Sequence, residues 1–138
     1  MENMGNGKKI ELSFFDAREA SRSKKATIHG SGKLGFTLDA IHYLSLDQGK
    51  YLRIAINEAD ELDENLYLEV SDIEVPGSYR TVKAGKYIYL NTAGLFDHIG
   101  YDYKNNTISF TILPIEIEDK RFYKLIKKEK KRTIKKPA

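Results

Sequence analysis

Two stretches of this chain, 25–70 and 79–126, run through the same order of residue patterns. That internal duplication limits the fold more than any other feature. Gly32-Lys33 matches Gly85-Lys86, Phe36 matches Tyr89, Leu44 matches Ile99 and Asp47 matches Asp102. Further along, Leu52, Ile54 and Ile56 match Ile108, Phe110 and Ile112, and Leu66-Tyr67 matches Phe122-Tyr123. Few matched residues are identical; the order of apolar, turn and polar positions is what recurs.

Each copy has a physical reading. Residues 26–29 and 81–83 are short strand candidates that end at a glycine-containing turn, where positive φ costs glycine nothing. Leu34, Phe36 and Leu38 alternate, as do Tyr87, Tyr89 and Asn91, which predicts a strand with one buried face in each copy. Thr37 or Asp39, and Asn91 or Thr92, then offer oxygens to cap a helix start. Ala40, Ile41 and Leu44 form one helical stripe; Ala93, Leu95, Phe96 and Ile99 form the other. Both helices are about two turns long, and Gly100 is suited to end the second in a left-handed conformation. A polar turn follows, then the alternating strands Leu52/Ile54/Ile56 and Ile108/Phe110/Ile112, a polar stretch, and last strands over 66–70 and 122–126. The unit is β-β-α-β-β, present twice. Neither copy has enough apolar surface for a core of its own, so the two are expected to share one.

The 138 residues therefore divide into an N-terminal arm over 1–24, in which 9–15 reads as one extra strand or a docked arm, a single two-repeat domain over 25–126, and a basic tail over 127–138 that is expected to be disordered. The turn 75–78 links the copies. Residues 1–9 are polar with no apolar signal core behind them, and no run approaches a membrane span. The chain has no cysteine, which rules out disulfides and thiolate metal sites and makes a reducing cytoplasm the expected location.

Charge is unevenly spread. Of the 23 lysines and arginines, eight fall in 124–138 against the single acid Glu129, leaving 15 basic and 19 acidic residues over the rest. An acidic body with a basic end attracts a polyanion only where lysines are grouped. One group surrounds the glycine turns: Arg22, Lys24, Lys25 and Lys33, matched by Arg80, Lys83 and Lys86. The other is the tail, with Lys127, Lys128, Lys130, Lys131 and Arg132. Residues 79–89 interleave tyrosines with basic residues, a composition used by single-stranded nucleic-acid platforms; their alternation places Tyr87 and Tyr89 with the core residues instead. The acids Glu58, Asp60, Glu61, Asp63 and Glu64, and Glu116, Glu118 and Asp119, crowd two hairpin tips without the spacing or glycine of a calcium loop. His29, His42 and His98 share no metal spacing, and no nucleophile elbow, Walker loop or dinucleotide fingerprint is present. Neither enzyme activity nor a cofactor is expected.

The order strand, Gly-Lys, strand, short helix, Leu-x-Leu-x-x-Gly, strand, hairpin, strand resembles the AbrB/MazE/SpoVT swapped-hairpin DNA-binding family. It is carried by residues 27–34, by Ala40-Ile41 and by 44–56; the second copy matches more weakly, through Gly85-Lys86-Tyr87 and residues 99–102. The resemblance implies a mainly β fold with short helices, in which exchanged hairpins build one barrel-like core. It also implies a DNA-binding regulator or antitoxin-like module, with phosphate contacts through the turn lysines Lys33 and Lys86. The family's proline before the helix is replaced by Thr37 and Leu90, and its arginine-rich helix by one bearing His42 and one bearing Asp97-His98. A fused pair would place the usual dimer within one chain, so a monomer or weak homo-oligomer is expected. Two other readings remain open: a protein-interaction or inhibitor module acting through the acidic tips or the tyrosine-rich sheet, and a single-stranded nucleic-acid binder.

Overall fold

The computed structural model describes residues 9–14 and 24–132; the expectations for Phe15, Arg22, Lys135 and Lys136 lie outside the described residues. The first copy consists of β1 (Lys25–Ile28), β2 (Leu34–Phe36), α1 (Leu38–Leu44), β3 (Tyr51–Ala55) and β4 (Leu66–Ser71). The second consists of β6 (Val82–Ala84), β7 (Tyr87–Leu90), α2 (Ala93–Ile99), β8 (Asn106–Ile117) and β9 (Lys120–Lys131), preceded by the two-residue strand β5 (Tyr79–Arg80). The expected β-β-α-β-β order is present in both copies, in a mainly β fold with two short helices.

One nine-stranded sheet runs β5-β3-β4-β9-β8-β1-β2-β7-β6, every neighbouring pair antiparallel. Its two end strands, β5 and β6, are consecutive in the chain with only Thr81 between them, so the sheet curls into a nearly closed barrel. The hairpins interleave. The β1–β2 hairpin of the first copy sits between β8 and β7 of the second, and β9 pairs with β4. Each copy thus lends strands to the other, which is how two units too small for separate cores bury one. Ile28, Leu34, Leu46, Leu52, Leu66, Leu68, Leu90, Phe96, Ile108, Phe110, Ile112 and Leu125 are its largest fully buried side chains, with contributions from both copies. The helices cap the barrel as their stripes dictate. Thr37 Oγ1 accepts the Ala40 N–H at 3.4 Å at the start of α1, and Gly100 (φ 90°) ends α2. Thr92 does not cap α2 with its side chain; its hydroxyl donates to the Gly32 carbonyl at 2.9 Å. That bond holds the β1–β2 loop against α2 so closely that a Cβ on Gly32 would lie 2.6 Å from the Ala93 Cβ.

Three expectations are corrected. In β7 the core residues are Ile88 and Leu90, while Tyr87 is 64% exposed and Tyr89 half-buried. The cause is register. Gly85 and Lys86 form the whole β6–β7 turn, because Ala84 pairs with Tyr87, whereas Gly32-Lys33 are the last of five residues between Ile28 and Leu34. Matching the two Gly-Lys pairs therefore slips the second copy by one residue, and a one-residue slip moves every side chain to the other face. Next, the tail expected from 127 is strand as far as Lys131, paired residue for residue with β8. The expected polar break at 113–121 is absent: β8 and β9 run as one long hairpin through Glu118 and Asp119, both with positive φ (52° and 62°), as a two-residue hairpin turn requires. Last, residues 9–14 form no strand, and Ile10, Leu12 and Phe14 are 75%, 75% and 87% exposed.

One polar cluster ties the long hairpin to the rest of the barrel. Glu69 of β4 accepts two hydrogen bonds from Arg53 of β3, at 2.6 and 2.9 Å, and one from Lys120 of β9 at 2.7 Å. These partners hold its carboxyl down at about 2, against an ordinary 4.5. A carboxylate depressed on folding stabilises the fold fully above its unfolded value, and that contribution fades as pH falls through the folded one. The melting temperature is accordingly expected to fall between about pH 4.5 and pH 2, and Glu69→Gln should shrink that fall. Calorimetry across this range checks it; an unchanged acid profile in the variant would refute the assignment.

Candidate nucleic-acid interface

Alternation along the strands sorts the basic residues. In β1, β2, β8 and β9 one set of alternate positions forms the core: Ala26 and Ile28, Leu34 and Phe36, Ile108 to Ile112, and Leu125. The intervening positions face outward. Lys128, Ser109, Thr27, Gly35 and Tyr89 lie in register across β9, β8, β1, β2 and β7. On one side of this row Lys130 pairs with Thr107; on the other Lys25 pairs with Thr111. Lys33 precedes Leu34 and lays its ammonium 4.6 Å from the centre of the Tyr89 ring, a cation–π contact that keeps the charge on this face. His29 lies over Gly35, whose missing side chain makes the room: a Cβ there would come within 2.3 Å of the His29 Nε2. No outward position of these strands, from β9 across to β7, is acidic, and among the described residues no ion pair engages Lys25, Lys33, Lys128 or Lys130.

The acids gather elsewhere. Residues 57–64 join β3 to β4, and in the strand circuit these strands lie across the barrel from β1 and β2. Asp60 and Asp63 are turn-builders there, accepting the N–H of Leu62 at 3.0 Å and of Asn65 at 2.9 Å. The Tyr67 hydroxyl, 2.5 Å from Asp63, is the main reason its carboxyl sits at about 2. Among the described residues no cluster of three His, Asp or Glu side chains could hold a metal. No helix there is long and apolar enough to cross a membrane.

Of the basic residues singled out in the sequence, the fold brings Lys25, Lys33, Lys128 and Lys130 together. Lys127 is withdrawn. It faces inward beside Phe110, its side chain is only 10% exposed, and its ammonium lies 3.2 Å from Glu129, 3.7 Å from Glu64 and 4.7 Å from the centre of the Tyr101 ring. Arg132 is partly committed, donating to the Tyr103 and Asn106 carbonyls at 3.1 and 3.4 Å. Lys131 ends β9 opposite Asn106. Arg80, Lys83 and Lys86 are exposed on β5, β6 and the β6–β7 turn.

The turn lysines do not share an edge. Leu34 pairs with Leu90, so the antiparallel register puts Lys33 and Lys86 at opposite ends of the β2–β7 pair, roughly 17 Å apart along the strands. Sequence reasoning missed Thr27, Thr107, Ser109, Thr111 and His29 as parts of this face. The even-numbered spacing of Lys124, Lys128 and Lys130 about Leu125 was the available signal, hidden by reading 127 onward as a tail. Searches against protein-family models, curated proteins and solved structures find no match to this chain.

Proposed function

We propose that this protein binds nucleic acid, double-stranded DNA first, through the outer face of β9, β8, β1 and β2. The reading rests on one observation: an acid-free band of Lys25, Lys33, Lys128 and Lys130, interleaved with Thr and Ser hydroxyls, on a body whose other described residues include more acids than bases. Lysines spaced over a rigid sheet neutralise phosphates, and the hydroxyls donate to phosphate oxygens without reading bases. The role this suits is a DNA-binding regulator or antitoxin-like module, in keeping with the swapped-hairpin resemblance. One chain supplies all the hairpins of the barrel, so a monomer suffices, and a cysteine-free DNA binder suits the cytoplasm.

Affinity for a labelled duplex, measured by fluorescence anisotropy, is expected to fall roughly 40- to 150-fold between about 50 and 200 mM salt, as three to four phosphate contacts imply. No binding at the lower salt, or binding indifferent to salt, would overturn the proposal. A second reading draws on Tyr87, 64% exposed, and its neighbour Tyr89, which offer rings for stacking unpaired bases. If single strands compete better than duplex, that reading takes its place.

A further inference from the structure

The duplication leaves one strand position half empty. In the second copy β1 lies along β8, pairing from Ile28↔Ile108 to Lys25↔Thr111, and the Ile112 N–H donates to the Lys24 carbonyl at 3.0 Å. Leu52, Ile54 and Ile56 are the counterparts of Ile108, Phe110 and Ile112, yet β5 covers β3 only at Tyr51 and Leu52. The chain before β5 cannot continue along this edge. Pro76 and Gly77 (φ 80°) form a turn closed by the Ser78 N–H to the Val75 carbonyl at 3.1 Å, which carries the chain away. Direction of the backbone groups completes the picture. The Lys50 N–H and carbonyl both meet Thr81, at 3.1 Å each, so the even-numbered residues of β3 aim their backbone at this edge. Among the described residues no strand pairs with β3 on this side beyond Leu52, so Ile54, and Ile56 just past the strand, aim their backbone groups at an open edge. They border an open groove of about 920 Å³ that Ile117 and Phe122 of the long hairpin also line.

We infer that residues 9–14 of the same chain add to this edge as a strand antiparallel to β3. Their pattern fits: Ile10, Leu12 and Phe14 alternate with Lys9, Glu11 and Ser13, giving one apolar and one polar face. All three apolar side chains are 75% exposed or more where they stand, and the matching Ile56 is itself 57% exposed. Docked beside Ile54 and Ile56, they would extend the inward-facing row of the sheet.

The connection is long enough. Lys24 bonds Ile112, Ile112 pairs with Leu125, Leu125 with Leu66, and Leu66 lies opposite Ile56 in the register that pairs Tyr67 with Ala55. The empty position is thus five strand spacings from Lys24, at most about 24 Å, whereas the ten residue steps from Phe14 to Lys24 reach about 34 Å. Tethering at this range gives an effective concentration on the order of millimolar, and open sheet edges pair with any strand that arrives.

Hydrogen exchange on the full chain tests this directly. The Ile54 and Ile56 amides should exchange more than tenfold slower than in Ile10→Asp/Leu12→Asp, with the remaining sheet amides unchanged. Tenfold dilution should leave the protection as it was. Equal exchange in the two proteins would overturn the inference. Protection that grows with protein concentration would also overturn it, since a second copy would then fill the edge.

Discussion

Lys25→Glu combined with Lys128→Glu is expected to weaken duplex binding on the order of a hundredfold at ~0.1 M salt and to flatten the salt dependence by about two units of slope. The pair is chosen from the register. Both side chains are exposed on the outer face, one outward row apart, and neither is in an ion pair among the described residues. Each reversal removes a phosphate contact and adds a repulsion. Stability should change by no more than about 0.5 kcal/mol, as for other exposed substitutions away from structural pairs. Lys127→Glu is the informative contrast, because its ammonium is held between Glu64 and Glu129; it should lower stability and touch DNA affinity little. Truncation after Arg132 leaves β9 intact and should lower affinity for all sequences alike. If that truncation abolishes binding and the double reversal does nothing, the barrel face is not the interface.

Ile88→Ala is expected to cost about 2–4 kcal/mol, while Tyr87→Ala should fall within about 0.5 kcal/mol of the parent. Ile88 is 2% exposed and packs in the shared core; its neighbour Tyr87 is 64% exposed. Against a total stability of about 5–15 kcal/mol for a domain this size, the first loss would move a urea midpoint clearly and the second would not. The reverse result would place the tyrosines of β7 in the core and return the second copy to the register that its Gly-Lys pair suggests. The outer face would then lose Tyr89, and with it the ring that supports Lys33.

Both experiments turn on positions where local pattern and tertiary register part company. The sequence alone determined the element order, because alternation, capping oxygens and turn glycines are local properties: Leu52 and Ile54 of β3, the stripe Ala40, Ile41 and Leu44, and the stop at Gly100 all stand as read. It also determined that two such units must share a core, since neither has the apolar surface to fold alone. What it could not supply was loop length in three dimensions. Five residues turn the first hairpin and two turn the second, a difference that inverts the faces of β7 and sends Lys86 to the far end from Lys33. Pairing across the barrel was equally out of reach. A lysine-rich end reads as a solvated tail until β8 offers it a partner edge; then Lys127 turns inward to Glu64, 63 residues earlier in the chain, and Lys128 and Lys130 turn out beside Ser109 and Thr107. Local propensity chose the strands. Only the closing of the sheet decided which side of each strand meets solvent, because that choice depends on partners distant in sequence.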